Sequence, residues 1–293
     1  MHRRSRAGAA HQTRASRPSR GRHGYALPVP AAREPPRAVA PPEPAEPRQP
    51  RFGMANPHSL SASLGSLYAQ GVTHVAVVRL FLSGSSFLDQ TNFFLGLSDV
   101  PPDFFVLMGP GSDDPKARKQ IQHNFVIATH SDGLINSQYV DSIMHERADS
   151  LSSTPREESV LIIAHGVGDE AENDKLLKSM GRVAEHVTDG GYADVHVATL
   201  REDWESKRIL AEQNIRSYVS TQNESGRRVL VLPMRLSGFG PYAGVLDGLK
   251  YSAGPGLLPH KHIADWVIKT ADNISRSAGW NVELLQLSNI LSD

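Results

Sequence analysis

From Phe52 onward, short runs of β-branched and aliphatic residues alternate with longer stretches whose apolar positions recur at helical spacing. The run Gly71-Val-Thr-His-Val-Ala-Val-Val-Arg-Leu-Phe-Leu82 is expected of a strand buried on both faces of a parallel sheet, after a helix over 59–70. A second run, 124–129, precedes a helical stretch over 136–150 in which Tyr139, Val140, Ile143 and Met144 share one face. Residues 151–158 are polar and contain a Pro, as in a linker. Ser159-Val-Leu-Ile-Ile-Ala164 is the strongest strand signal and runs straight into His165-Gly166. A helix over 170–187, a strand over 193–200, a helix over 204–222, a strand over 228–233 and a helix over 262–277 follow. This alternation predicts an α/β fold with a doubly wound parallel sheet and right-handed crossovers.

An internal repeat divides that pattern into two units. Val75-Ala-Val-Val-Arg-Leu-Phe-Leu-Ser-Gly84 aligns without a gap on Val229-Leu-Val-Leu-Pro-Met-Arg-Leu-Ser-Gly238, at an offset of 154 residues. Further on, Gly133-Leu-Ile falls against Gly256-Leu-Leu, and Val140 against Ile263, at an offset of 123. The difference of 31 places an insertion in the first unit, over 89–121. Before Val75 there is room for a strand near 51–55, but nothing resembles Val160 to Gly166. The expectation is a complete second repeat over 159–280 and an incomplete first repeat over 51–150 that lacks its first strand.

Charge and composition narrow the partners. Residues 1–51 hold eleven Arg and three Glu, a balance of +8 that leaves −8 on the rest of this formally neutral chain. Residues 1–50 also contain ten of the twenty prolines, so this extension is expected to be disordered. The interspersed prolines weaken a transit-peptide reading, and a mis-assigned start explains the segment as well. The acidic body lacks a Lys/Arg cluster interleaved with aromatics, which argues against nucleic acid. No run of eighteen apolar residues or secretory signal is present, so neither a membrane span nor export is expected, and a cytoplasmic protein is. With no cysteine among 293 residues, any metal must be held by His, Asp, Glu or backbone oxygen.

Loops after the carboxyl ends of parallel strands gather functional groups. His165 stands in such a loop and is a candidate metal ligand or proton acceptor, with Gly166 keeping the turn close. Asp169, Glu170 and Glu172 open the next helix, where a capping role explains them, though Asp169 or Glu172 could face the site. Ser237-Gly-Phe-Gly-Pro241 offers backbone N–H groups to an anion, with Ser237 and Gly238 as candidate contacts, but lacks the Lys of a P-loop. His260 and His262 form a His-x-His pair that reads more readily as a helix cap than as a chelate. His130 follows the strand ending at Thr129 and is the candidate ligand of the first unit. No Gly-x-Ser-x-Gly elbow or Gly-x-Gly-x-x-Gly fingerprint follows a strand, which sets hydrolase and dinucleotide enzymes aside.

Leu161-Ile-Ile-Ala-His-Gly166, Val229-Leu-Val-Leu-Pro233 with its Leu-Ser-Gly, and Gly256-Leu-Leu-Pro-His260 before the last helix together resemble the CbiX-type sirohydrochlorin cobaltochelatase or ferrochelatase family. The likeness runs over about 52–277. It implies tandem flavodoxin-like repeats and insertion of Co²⁺ or Fe²⁺, with Ni²⁺ as a further candidate, into a reduced tetrapyrrole. Here the metal is a substrate, and no organic cofactor is implied. His165 matches the family's first histidine, and His130 and His260, read from this chain itself, are the further candidate metal ligands. Where the family's second histidine is expected, the chain has Gly84-Ser-Ser-Phe87 and Gly238-Phe-Gly-Pro241. A catalytically inactive metal- or tetrapyrrole-binding member is therefore the alternative, and the missing strand predicts a marginal first half or a homodimer.

Overall fold

A computed structural model describes residues 56–107 and 114–280. All of these residues belong to one compact unit. The extension over 1–50 and the strand expected near 51–55 lie outside the described residues.

The elements in chain order are α1 (Pro57–Tyr68), β1 (His74–Val77), α2 (Leu88–Phe94), β2 (Val126–Thr129), α3 (Gln138–Leu151), β3 (Glu158–Ala164), α4 (Glu170–Thr188), β4 (Asp194–Thr199), α5 (Glu205–Glu224), β5 (Arg228–Met234), α6 (Tyr242–Val245), β6 (Ser252–Ala253) and α7 (Lys261–Ser277). They form two parallel sheets, β1-β2 and β4-β3-β5-β6. β3 lies between its neighbours with Val160 opposite Val195 on β4 and Leu230 on β5. Strand order reverses beside β3, so its carboxyl end opens into the crevice where ligands of doubly wound sheets bind.

β3 occupies the centre because all seven of its positions are buried. Its side chains alternate between two cores. Val160, Ile162 and Ala164 pack with Val140, Ile143, Met180, Val183 and Trp266, whereas Leu161 and Ile163 pack with Ile215, Val219, Tyr242 and Leu246. Each such large apolar side chain contributes about 1.5–3 kcal/mol by leaving water.

Two helices cover a sheet other than the one they follow. α3 follows β2 yet packs on α4 and β5, and α7 follows β6 yet packs on β1, β2 and α3. Backbone hydrogen bonds recur at the offsets read in the sequence. Leu134 and Ile135 N–H donate to Phe81 and Leu82 C=O at 2.9 and 3.1 Å, and Leu257 and Leu258 donate to Arg235 and Leu236 at 2.9 and 2.7 Å. α3 and α7 begin 123 residues apart, at Gln138 and Lys261.

The apolar run over 71–82 is mostly not strand: only His74–Val77 is. Arg79 explains the break. Its guanidinium is 3% exposed and donates to the carbonyls of Gly84, Ser86 and His130, which a continuing strand could not bring around it. All of α2 but its first residue, Leu88, falls within the span expected as an insertion, and its Phe94 is fully buried. Among the described residues, β1 pairs only with β2, and no helix is long and apolar enough to cross a membrane.

Candidate functional site

The loops after β3, β4 and β5 meet at one end of the larger sheet. His165 follows β3 and its side chain is 42% exposed. Its Nδ1–H donates to the Gly166 carbonyl at 2.8 Å, which leaves Nε2 directed outward. Nε2 lies 3.3 Å from Asp203 Oδ2 and 3.9 Å from Glu202 Oε2. Gly166 has φ +82, and a Cβ there would stand 3.0 Å from both Arg201 and Thr199, so this turn requires glycine.

The loop bearing the two carboxylates is braced. Arg201 sits at φ +59, an unusual conformation for a side chain of its size. Its guanidinium binds Glu170 at 2.9 Å and the Gly168 carbonyl at 2.9 Å. Lys207 adds a contact to Glu170 at 2.6 Å. The hydrogen bonds from Arg201 and then Lys207 hold the Glu170 carboxyl down at about 2. The Glu202 N–H donates to the His165 carbonyl at 3.2 Å, and Trp204 stands edge-on to the imidazole at 6.1 Å. Asp169 caps α4 through the Glu172 N–H, and Glu172 pairs with Lys175 at 2.6 Å, so Glu170 is the carboxylate of this turn that engages the next loop.

Arg235, just after β5, donates to Glu202 Oε1 at 3.0 Å and lies over the ring of buried Tyr242 at 5.7 Å. Burial, and next the charge of Glu202, pushes the Tyr242 hydroxyl above the usual phenol range. Ser237 and Gly238 are exposed beyond Arg235, with φ +70 at Gly238.

The other two candidate histidines have both ring nitrogens committed or buried. His130 Nε2 accepts the Arg79 N–H at 2.8 Å, which places the proton on Nδ1, and Nδ1 is buried without a partner. Burial, then the Arg79 charge, depresses the His130 pKa, against the opposing effect of Asp132. The residue borders a cavity of about 740 Å³ with Tyr139, Trp266 and Lys269. His260 caps α7, its Nδ1 accepting the His262 N–H at 3.3 Å while Nε2 meets Glu146 at 3.1 Å. Burial lowers its pKa, with Glu146 opposing. Among the described residues, no group of three His, Asp or Glu side chains is placed to hold a metal ion, so His165, His130 and His260 do not form one ligand set.

Glu202, Asp203 and Arg235 were not singled out from the sequence. The signal lay in their position, since each follows a parallel strand within four residues of its carboxyl end.

The chain is an α/β protein with parallel sheets, and its fold is similar to that of a solved structure. The solved structure that carries the likeness is SirB from Bacillus subtilis with Fe³⁺, at a TM-score of 0.51 and 14% identity, covering 75% of this chain and 79% of that one. No family model and no curated protein sequence matches the chain.

Proposed function

We propose that this chain is a chelatase-like protein that inserts a divalent metal, Co²⁺ or Fe²⁺, into sirohydrochlorin at the crevice beside His165. One observation carries the reading. Nε2 of His165 stands 3.3 and 3.9 Å from two carboxylates, an imidazole–carboxylate grouping that a divalent cation could bridge. Imidazole and carboxylate together suit intermediate divalent metals and can accept pyrrole N–H protons as the metal enters. Gly166, Ser237 and Gly238 would line the macrocycle's approach. The resemblance to CbiX-type chelatases and the fold shared with SirB, which was solved with Fe³⁺, support the same reading.

The repeated hydrogen bonds at offsets 154 and 123 support tandem repeats, the first lacking its first strand. In this reading the protein works in the cytoplasm, and the edge of β1 that has no strand partner among the described residues is a surface on which two copies could associate.

The absence, among the described residues, of a three-ligand group favours the second reading, an inactive metal or tetrapyrrole binder. The test is anaerobic incubation of the full chain with sirohydrochlorin and Co²⁺, Fe²⁺ or Ni²⁺, followed by absorbance, beside His165→Ala. Insertion above background that is lost in the variant supports the chelatase. A background rate with retained macrocycle binding supports the binder.

A further inference from the structure

The geometry points to Arg235 as a built-in competitor for the metal: its guanidinium holds Glu202 as an internal cation and so sets how readily a divalent ion is admitted beside His165. This inference rests on the metal-handling reading of the crevice and names the residue that limits it.

The seat of Arg235 is made to measure. A Cβ on Gly240 would stand 2.1 Å from Arg235 Nη1 and 2.7 Å from its Cζ, so only glycine leaves room there. The Tyr242 ring underlies the guanidinium at 5.7 Å. The Arg235 carbonyl is fixed by the Leu257 N–H at 2.9 Å. From that seat Nη1 donates to Glu202 Oε1 at 3.0 Å, in a pair whose side chains are 30% and 13% exposed.

Glu202 is thus shared. Its Oε2 faces His165 Nε2 at 3.9 Å while its Oε1 is occupied by Arg235. A divalent ion bound to Oε2 and Nε2 would lie beside a fixed positive charge in a partly desolvated crevice, where repulsion is strong. Binding the ion therefore puts two cations on one carboxylate, and Arg235 weakens the attraction that Glu202 offers the ion. Asp203, 71% exposed, supplies the weaker, solvated attraction.

The test is titration of the full chain with Co²⁺ alone, by calorimetry, for the wild type, Arg235→Gln, Arg235→Lys and Glu202→Gln/Arg235→Gln. Arg235→Gln is expected to bind Co²⁺ at least about tenfold more tightly than wild type. Arg235→Lys keeps the charge and should stay near wild type, and the double variant should lose the gain. Should Arg235→Gln not fold, Gly240→Ala evicts the guanidinium without removing it and carries the same expectation. Arg235→Gln or Gly240→Ala binding no more tightly than wild type overturns the inference, as does a gain that persists in the double variant. Because no macrocycle is present, these outcomes are separate from insertion: a wild type that inserts metal while Arg235→Gln gains no affinity refutes only the role of Arg235.

Discussion

His165 Nε2 and Asp203 Oδ2 face each other at 3.3 Å, with the other ring nitrogen already donating to Gly166. If this pair handles metal and protons, the two side chains should contribute unequally. His165→Ala is expected to lower the initial insertion rate about 100-fold or more, the scale of a lost general base. Asp203→Asn, at an exposed carboxylate, should lower it by only about tenfold. Equal rates for wild type and both variants would remove this crevice from the chemistry.

Glu158 provides a pH-dependent test of stability. It is fully buried at the start of β3, 3.1 Å from the Ser153 N–H and 2.7 Å from Arg228. Burial pushes its carboxyl up, but hydrogen bonds from Ser152, Ser153 and Arg228 outweigh burial and leave it below its ordinary value of 4.5. A depressed folded-state value means that the contribution is present above 4.5 and is lost as pH falls through the lower folded value. Glu158→Gln should therefore cost about 2 kcal/mol at pH 7 in urea unfolding, and the gap from wild type should narrow below about pH 4. A gap that stays constant with pH would show that the charge is not what stabilises.

Much of this was legible in the chain. β3 announced itself because a strand covered on both faces needs apolar residues at every position. The end of β1 was not legible, since apolar character continues through Leu82 and only the three-dimensional set of carbonyls around Arg79 shows why the strand stops. The partners of His165 were hidden for a related reason. Glu202 and Arg235 stand 37 and 70 residues beyond it, and only the strand order β4-β3-β5 makes their loops neighbours.

Two glycines should respond oppositely to the same substitution. A Cβ on Gly84 would stand 2.1 Å from the Ser131 carbonyl oxygen, so Gly84→Ala should destabilise by about 2 kcal/mol or more as the two loops are forced apart. Gly181 lies within α4 with nothing within 4 Å of an added Cβ, so Gly181→Ala should stabilise by about 0.5–1 kcal/mol. Thermal melts of the two variants beside wild type decide both signs.

Amide exchange should divide the molecule. β3 is flanked by strands on both sides and buried throughout, whereas β1 and β2 are four residues each, and β1 has one strand partner among the described residues. Amides of β1 and β2 are expected to exchange at least about tenfold faster than those of β3 and β5. Equal protection in a monomer would contradict a weakened first half.

The crossed placement of α3 and α7 bears on how the protein is made. During vectorial synthesis β1 and β2 emerge by residue 129, but the helix that roofs them, α7, is complete only at Ser277. From residue 129 to 277 the nascent chain carries one uncovered face of the β1-β2 sheet, so its maturation is tied to the last of the described helices to leave the ribosome and to whatever chaperone shields that face until then.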